Sequence, residues 1–392
     1  MPTCREAEDE RYDLMHAAPS LRSSLLRLIG AAENVVAVAR TRRKIARGTL
    51  DPVELVTHRG YGTAKILRAQ ARVLEARGVT PGTVDDAWWR NVADAYRRFV
   101  SSEIPGAIVR ATLDGQTLEA TADGEGYVRF EFANTRPDTH GWRDVDLQLV
   151  GPFGAGQHAL GATAQVLVPD LRSGVGIISD IDDTILHTGL TETAGMLRTT
   201  LLHNASTRLP YPGVAAFYRA LHAGDGSATR PIFFVSGSPW NLYDMIARFM
   251  ELQDIPPGPL FLKDWGIDEH KFIRESTHAY KLARIGLLLE LYPQLDFVLI
   301  GDSGQSDPEV YADVIARHPD RVRAVYIRDV TTDGSRDAAV RRLLRTLDTH
   351  DVPSAFGASP LSAATDAAER GLIASEHLEE IRRECEADRS ET

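Results

Sequence analysis

Three aspartates fall within four positions in Asp180-Ile181-Asp182-Asp183, directly after the apolar run VGIIS. Carboxylates crowded at the end of a strand repel one another unless something positive relieves them. Two more acidic residues, Asp302 and Asp307, stand in GDSGQSD after a second apolar run, DFVLI. Ser236-Gly237 closes a third run, PIFFV, and Lys281 opens a helical stretch just before the second. These residues are distant in sequence, yet each sits at the end of a predicted strand or the start of a helix. In a doubly wound sheet, ligands sit beyond the carboxyl ends of the strands. Such a sheet would therefore gather all of them at one edge. Four carboxylates in one cleft do not all stay ionised unaided. A divalent cation is the economical remedy, and carboxylate, carbonyl and water ligands point to magnesium.

The elements that must position these residues are readable from about Gly174 onward. Apolar runs rich in β-branched and aromatic residues alternate with helical patterns. VGIISD precedes the helix GVAAFYRALHA, PIFFVSG precedes PWNLYDMIARFMEL, and PLFLKD precedes YKLARIGLLLELYP. DFVLIGDSG precedes DPEVYADVIARHP, and VRAVYIRDV comes last. Runs without alternation fit strands buried on both faces, which predicts an α/β unit over residues 171–348 with a parallel sheet covered by helices.

Residues 51–170 read differently. The stretch AIVRATLDGQTLEATADGEGYVRFEFA alternates apolar and polar residues around Asp-Gly turns, which predicts a β-sandwich-like domain. AKILRAQARVLEA fits strand or helix. VDDAWWRNVADAYRRFV reads as one interrupting helix, and GPFGAGQHALGA as a hairpin connection without the Lys-Ser/Thr of a phosphate loop. Residues 1–50 hold a disordered start and a helix whose apolar face runs from Leu21 to Ala39 and which Gly48 stops. That helix either packs on the body of the protein or leans on anionic lipid through Arg40, Arg42, Arg43, Lys44 and Arg47. Residues 349–392 read as a polar, partly helical tail.

The 392-residue chain is long enough for two or three domains. Its formal net charge of −11 argues against nucleic-acid binding. Two cysteines near opposite ends form no metal-ligand spacing, so a reducing cytoplasm is expected. The acidic start has no signal-peptide core, and no window approaches the apolar length of a membrane span. Any membrane contact is expected to be peripheral, at the inner surface.

The set Asp180-Ile181-Asp182-Asp183-Thr184, Ser236, Lys281 and GDSGQSD resembles the signature of the haloacid dehalogenase-like phosphotransferase superfamily, all four elements being present in order. A narrower resemblance covers residues 172–332. YPGVAAFYRAL, VSGSPWNLYDMIARF, PPGPLFLKDWG, YKLARI and FVLIGDSGQSDPEVYADVIARHPDRVRAVYIRDV are similar to the catalytic domain of the actin-patch phosphatidate phosphatase family. The resemblance implies a Rossmann-like sheet with a minimal cap and magnesium-dependent hydrolysis of phosphatidate to diacylglycerol and phosphate. It implies Asp180 as nucleophile and Asp182 as general acid, then base. It implies magnesium on the Asp180 carboxylate, the Asp182 carbonyl and Asp302, with Asp307 ligating through water or orienting its neighbour. Thr184, Ser236, Gly237 and Lys281 would hold the phosphoryl oxygens.

Other readings compete. A phosphatase of a soluble ester fits the same residues. A non-catalytic lipid-phosphate-binding module needs neither a nucleophile nor an acid, so the intact Asp180 and Asp182 weigh against it. The acid and GDSGQSD also disfavour a phospho-acceptor receiver domain. Asp183 is expected to shape the turn, and His187 and His278 are expected to stay outside the chemistry. Trp240 and Tyr243 are expected either in the core or along an acyl-chain groove. Between Asp182 and Ser236 the segment HTGLTETAGMLRTTLLHNASTRLPYP is too short for a full cap domain, which predicts an open mouth. Within it, AGMLRTTLL either packs over the site or dips into lipid.

Overall fold

The computed structural model describes residues 39, 41, 43–75, 102–185, 212–263 and 276–390. The predicted helix over 84–100, the apolar face expected before residue 39, the AGMLRTTLL segment and His187 lie outside them.

The N-terminal region forms eight strands: β1 (Val53–Gly62), β2 (Ile66–Glu75), β3 (Ser102–Glu103), β4 (Ile108–Leu113), β5 (Gln116–Thr121), β6 (Tyr127–Ala133), β7 (Gly141–Gly151) and β8 (Gly161–Val168). They join one sheet in the order β3-β2-β1-β8-β7-β4-β5, with β6 also on β2. The expectation of a sandwich is corrected in this respect: a short parallel pairing of Gly60 and Tyr61 with Val166 and Leu167 links what would be two sheets into one. The sheet curls, because β6, paired to β2, returns into contact with β4 and β5. Its inward residues, alternating along each strand, then share one core that includes Leu67, Val73, Val109, Phe130, Leu147 and Val166. Within AKILRAQARVLEA, Ile66–Glu75 is strand β2, where alternate inward residues meet that core. GPFGAGQHALGA joins the antiparallel β7 and β8, as expected. Gly48 has a φ of +63°, the left-handed conformation that ends a helix. Lys44, one of the cations considered for lipid, instead pairs with the buried Glu75 at 2.5 Å.

The second region is a six-stranded parallel sheet: β9 (Val175–Ser179), β10 (Ile232–Pro239), β11 (Leu260–Lys263), β12 (Asp296–Asp302), β13 (Val322–Arg328) and β14 (Ser354–Gly357). The order is β11-β10-β9-β12-β13-β14. Every neighbouring pair is parallel. Counted within this sheet, the order is 3-2-1-4-5-6, whose direction reverses between β9 and β12. The strands read as unbroken apolar runs because both faces are covered. Helices α1 (Val214–Ala223) and α2 (Tyr243–Leu252) pack on one face, and α3 (Thr277–Leu291) and α4 (Asp307–Arg317) on the other.

The sheet does not stop at residue 348. β14 supplies its sixth strand, after α5 (Gly334–Leu347), and is followed by α6 (Pro360–Glu369) and α7 (His377–Ser390). Ala364, Ala367, Ile373 and Ile381 join the core under α1, so the alanine-rich stretch is a packing surface.

Candidate active site

The reversal between β9 and β12 places the ends of those two strands side by side, and it sets Asp180 next to Asp302. Asp180 follows the last residue of β9, and its N–H bonds to the Ile300 carbonyl of β12 at 2.9 Å. Asp302 ends β12, and Asp307 begins α4. Gly301 makes this possible, since a Cβ there would stand 2.6 Å from Asp307 Oδ2. That oxygen accepts the Asp302 N–H at 3.2 Å. Carboxylate oxygens of Asp180, Asp302 and Asp307 all lie within 4.8 Å of one another, and all three residues are buried.

Lys281 enters from the second turn of α3, whose start is capped by the Ser276 side chain. Its ammonium lies 2.8 Å from Asp180 Oδ1 and 2.5 Å from Asp307 Oδ1, with 1% of the side chain exposed. Burial works to lower its pKa, but Asp180, Asp307 and Asp302 outweigh this and raise it, so the lysine is charged. One ammonium does not balance three carboxylates. Burial, and then Asp307, push Asp302 up to about 8. Burial also holds Asp180 well above the ordinary range, with Asp307, Asp182 and Asp302 adding to it and Lys281 opposing.

The donor set fits a hard divalent cation. Asp302 Oδ1 accepts the Gly304 and Gln305 N–H groups at 2.7 and 2.9 Å, while its Oδ2 is buried with no hydrogen-bond partner among the described residues. A buried carboxylate oxygen is rarely left so. A cation of magnesium's kind, taking oxygen ligands, would satisfy it and offset the excess negative charge.

Asp182 turns the other way, toward β10. Its carboxylate accepts the Ser236 hydroxyl at 2.6 Å and the Ser238 hydroxyl at 2.9 and 3.0 Å. Ser236, expected to hold a phosphoryl oxygen, thus gives its hydroxyl to Asp182, and the same oxygen accepts the Ser238 N–H at 2.8 Å. A buried carboxylate draws in the donors nearest to it. Burial raises the pKa of Asp182, with the two serines opposing. Gln305 Nε2 reaches the Asp182 carbonyl at 3.5 Å. Thr184 stands beside Asp180 with its hydroxyl 3.5 Å from Oδ2. Gly237 is half-buried near the end of β10, where a Cβ would meet Thr277 at 2.7 Å. Asp183 has a φ of +54°, a conformation that glycine adopts freely, which accords with a turn residue.

The structure therefore brings Asp180, Lys281, Asp302 and Asp307 into one cluster, with Asp182, Ser236 and Ser238 forming a second beside it. His278 pairs with Asp313 at 2.8 Å, away from both. Ser238 and Gln305 were not singled out from the sequence. The signal was slight: a second hydroxyl two positions after Ser236, which along a strand faces the same side. Arg336 was missed as well. It lies on α5 and donates to the Ser303 and Gln305 carbonyls at 2.7 and 2.6 Å, and to Glu309. It thereby fixes the loop between Asp302 and Asp307.

Comparison with known proteins bears on this same segment. The chain is 35% identical over 156 residues to phosphatidate phosphatase APP1 of Saccharomyces cerevisiae. It is 32% identical over 165 residues to an uncharacterized protein of Schizosaccharomyces pombe. The alignments take in 40% and 41% of this chain and 26% of each yeast protein. Among solved structures, a carbohydrate acetylesterase from Xanthomonas citri aligns over 61% of this chain and 67% of its own, at 13% identity and a TM-score of 0.22, too distant to inform the fold. Residues 175–329 match the family model described as the catalytic domain of phosphatidate phosphatase APP1. The stretch that holds both clusters is thus the stretch similar to that catalytic-domain family.

Proposed function

We propose that this protein is a phosphoric monoester hydrolase of the phosphatidate phosphatase type, of haloacid dehalogenase-like design and dependent on magnesium. The observation that carries the reading is the buried convergence of Asp180, Asp302 and Asp307 around Lys281, inside the segment similar to the APP1 catalytic domain.

Asp180 is the nucleophile. One of its oxygens faces Lys281 and the other Thr184, so the second is available to attack phosphorus. A bond forms from that oxygen to phosphorus, the ester P–O bond breaks, and an aspartyl-phosphate results. Asp182 gives its proton to the departing alkoxide of diacylglycerol. It then takes a proton from the water that attacks the aspartyl-phosphate, releasing phosphate and restoring Asp180. Its raised pKa suits a group that must start protonated. Ser236 and Ser238 hold it in orientation, and Lys281 and Thr184, both beside Asp180, would meet the phosphoryl oxygens. Asp180, Asp302, Asp307 and the Asp182 carbonyl are the groups that would hold magnesium. When bound, the ion offsets charge on the phosphoryl oxygens, which a slow phosphomonoester hydrolysis requires.

A phosphatidate substrate implies peripheral contact with a bilayer. Among the described residues no helix is long and apolar enough to cross one.

The test is release of phosphate from phosphatidate in mixed micelles, with and without EDTA, against a panel of lysophosphatidate, phosphoinositides and small sugar phosphates. Release that requires magnesium, disappears in Asp180→Asn and Asp182→Asn, and favours phosphatidate supports the reading. Release untouched by EDTA, or confined to sugar phosphates, overturns the metal site or the lipid substrate respectively.

A further inference from the structure

The curled β-sheet meets the catalytic sheet at the segment that follows the serine hydroxyls. β10 ends at Pro239, a 3-10 turn spans Trp240–Leu242, and α2 begins at Tyr243. Three residues of this segment are gripped from β1 and β2. His58 of β1 stacks on Trp240, ring centroids 5.0 Å apart at 23°. Its ring is 4.2 Å from that of Tyr243. The Tyr243 hydroxyl accepts the Arg59 N–H at 2.6 Å. Arg72 of β2 donates through Nη1 to Asn241 Oδ1 at 2.9 Å. Its other donors are held within its own domain, by the Glu125 carbonyl at 2.8 Å and Glu103 at 3.0 Å. Its guanidinium also lies over the Tyr127 ring at 4.9 Å. Arg72 is therefore a fixed strut. His58 is fully buried, and burial, then Arg72 and Arg129, lower its pKa to about 3, so it packs as a neutral ring.

The strand ladder of the catalytic sheet thins along this segment, while Tyr243 joins the core below it and Trp240 and Leu242 pack against that core. β10 pairs with β9 only from Ile232 to Phe234. Its register with β11 shifts between Val235 and Pro239, where Pro239 pairs again with Lys263. The last residues of β10 are those that carry the Ser236 and Ser238 hydroxyls to Asp182, at 2.6 to 3.0 Å. Hydrogen bonds of that length fail with a displacement of about 1 Å. Contacts from the neighbouring sheet begin at the residues next along, beside their packing on the catalytic core, and add to what sets where the end of β10 lies. Further out, Tyr61 packs on Phe261 at 5.2 Å and the Tyr292 hydroxyl donates to the Gly62 carbonyl at 3.0 Å, so the end of β1 is anchored on the catalytic unit as well.

We propose that Arg72 and His58 of the β-rich domain are positioning residues for the catalytic centre, holding Trp240, Asn241 and Tyr243 so that the end of β10 keeps the Ser236 and Ser238 hydroxyls on Asp182. The role assigned to Asp182 rests on the phosphatase reading above; the mechanical coupling does not. The β-rich domain then serves catalysis without touching substrate.

The experiment uses the full chain with Arg72→Met, Arg72→Lys, Asn241→Ala and the Arg72→Met/Asn241→Ala pair. Asn241 is exposed, so its variant is expected to fold even if Arg72→Met proves fragile. Hydrogen–deuterium exchange of peptides covering 236–243, read without substrate or activity, is expected to rise in Arg72→Met and Asn241→Ala. Phosphate release is expected to lose kcat by up to about 10²-fold, with KM nearly unchanged. The pair is expected to be no worse than either single variant, and Arg72→Lys to recover part of the loss. Unchanged exchange over 236–243, or losses that add in the pair, would overturn the proposal. If the unaltered protein released no phosphate from phosphatidate, the phosphatase reading would fall, and the exchange data would still decide the coupling.

Discussion

The ammonium of Lys281 lies 2.8 Å from the carboxylate of Asp180, and each side chain is 1% exposed. A buried pair of this kind is held together by mutual need: neither charge is tolerable there alone. Because Asp307 shares the same ammonium, one cation ties the end of β9 to the start of α4.

Lys281→Met is expected to lower stability by about 3–5 kcal/mol, the usual cost of leaving a buried charge uncompensated. Thermal unfolding would measure it, and phosphate release is expected to fall by at least about 10²-fold. Lys281→Arg is not expected to rescue, since a planar fork does not fit where a compact ammonium meets two carboxylates.

Ser236→Ala and Ser238→Ala each remove one donor from Asp182. The hydroxyls oppose the upward shift of its pKa, so losing either is expected to raise that pKa further. A hydrogen bond to a charged group is worth about 1.5–3 kcal/mol. The alkaline limb of the rate profile is therefore expected to move to higher pH, with the larger move in the double variant. A pH profile of kcat indistinguishable from that of the unaltered protein would contradict the paired-hydroxyl arrangement.

Metal removal gives a prediction with a definite sign. Asp302 is raised from an ordinary 3.8 to about 8 in the folded protein. Between those values the folded state keeps a proton that the unfolded state has lost, so stability falls as pH rises through this window. In EDTA the unfolding temperature is expected to decline from about pH 4 to about pH 8. Added magnesium is expected to flatten that decline, because a ligated carboxylate has no proton to lose. Calorimetry across pH, with and without the ion, checks it.

Arg336→Ala is expected to weaken magnesium binding, read by titration calorimetry, more than it lowers the unfolding temperature. Arg336 holds the Ser303 and Gln305 carbonyls, and the loop between them and Asp307 sets the spacing of the carboxylates. It lies beyond residues 175–329, so a chain trimmed to the family match would lack it.

Ending the chain after Asp351 is expected to give insoluble protein. It removes β14 and uncovers the core that Ala364, Ala367, Ile373 and Ile381 close. Recovery of soluble, cooperatively unfolding material would show that this covering is dispensable.

The sequence by itself determined the alternation of strands and helices from Gly174 onward, and with it the residues that stand at strand ends. Buried parallel strands write an unmistakable apolar signal, and Asp180, Ser236, Asp302 and Asp307 each follow one. It also marked Lys281, because a helix start just before β12 points at the same edge. The tertiary structure alone decided how these groups are paired. That Asp182 faces Ser236 and Ser238 while Asp180 faces Lys281 depends on which strand lies on either side of β9, and strand order is not written in local periodicity. The same holds for the single curled sheet, which a two-residue pairing between β1 and β8 converts from an expected sandwich. It holds too for Trp240 and Tyr243, which pack in and against the core of the catalytic unit and also meet His58 of β1. Local sequence specifies elements and their polar ends; partners across hundreds of residues follow only when the whole chain has packed.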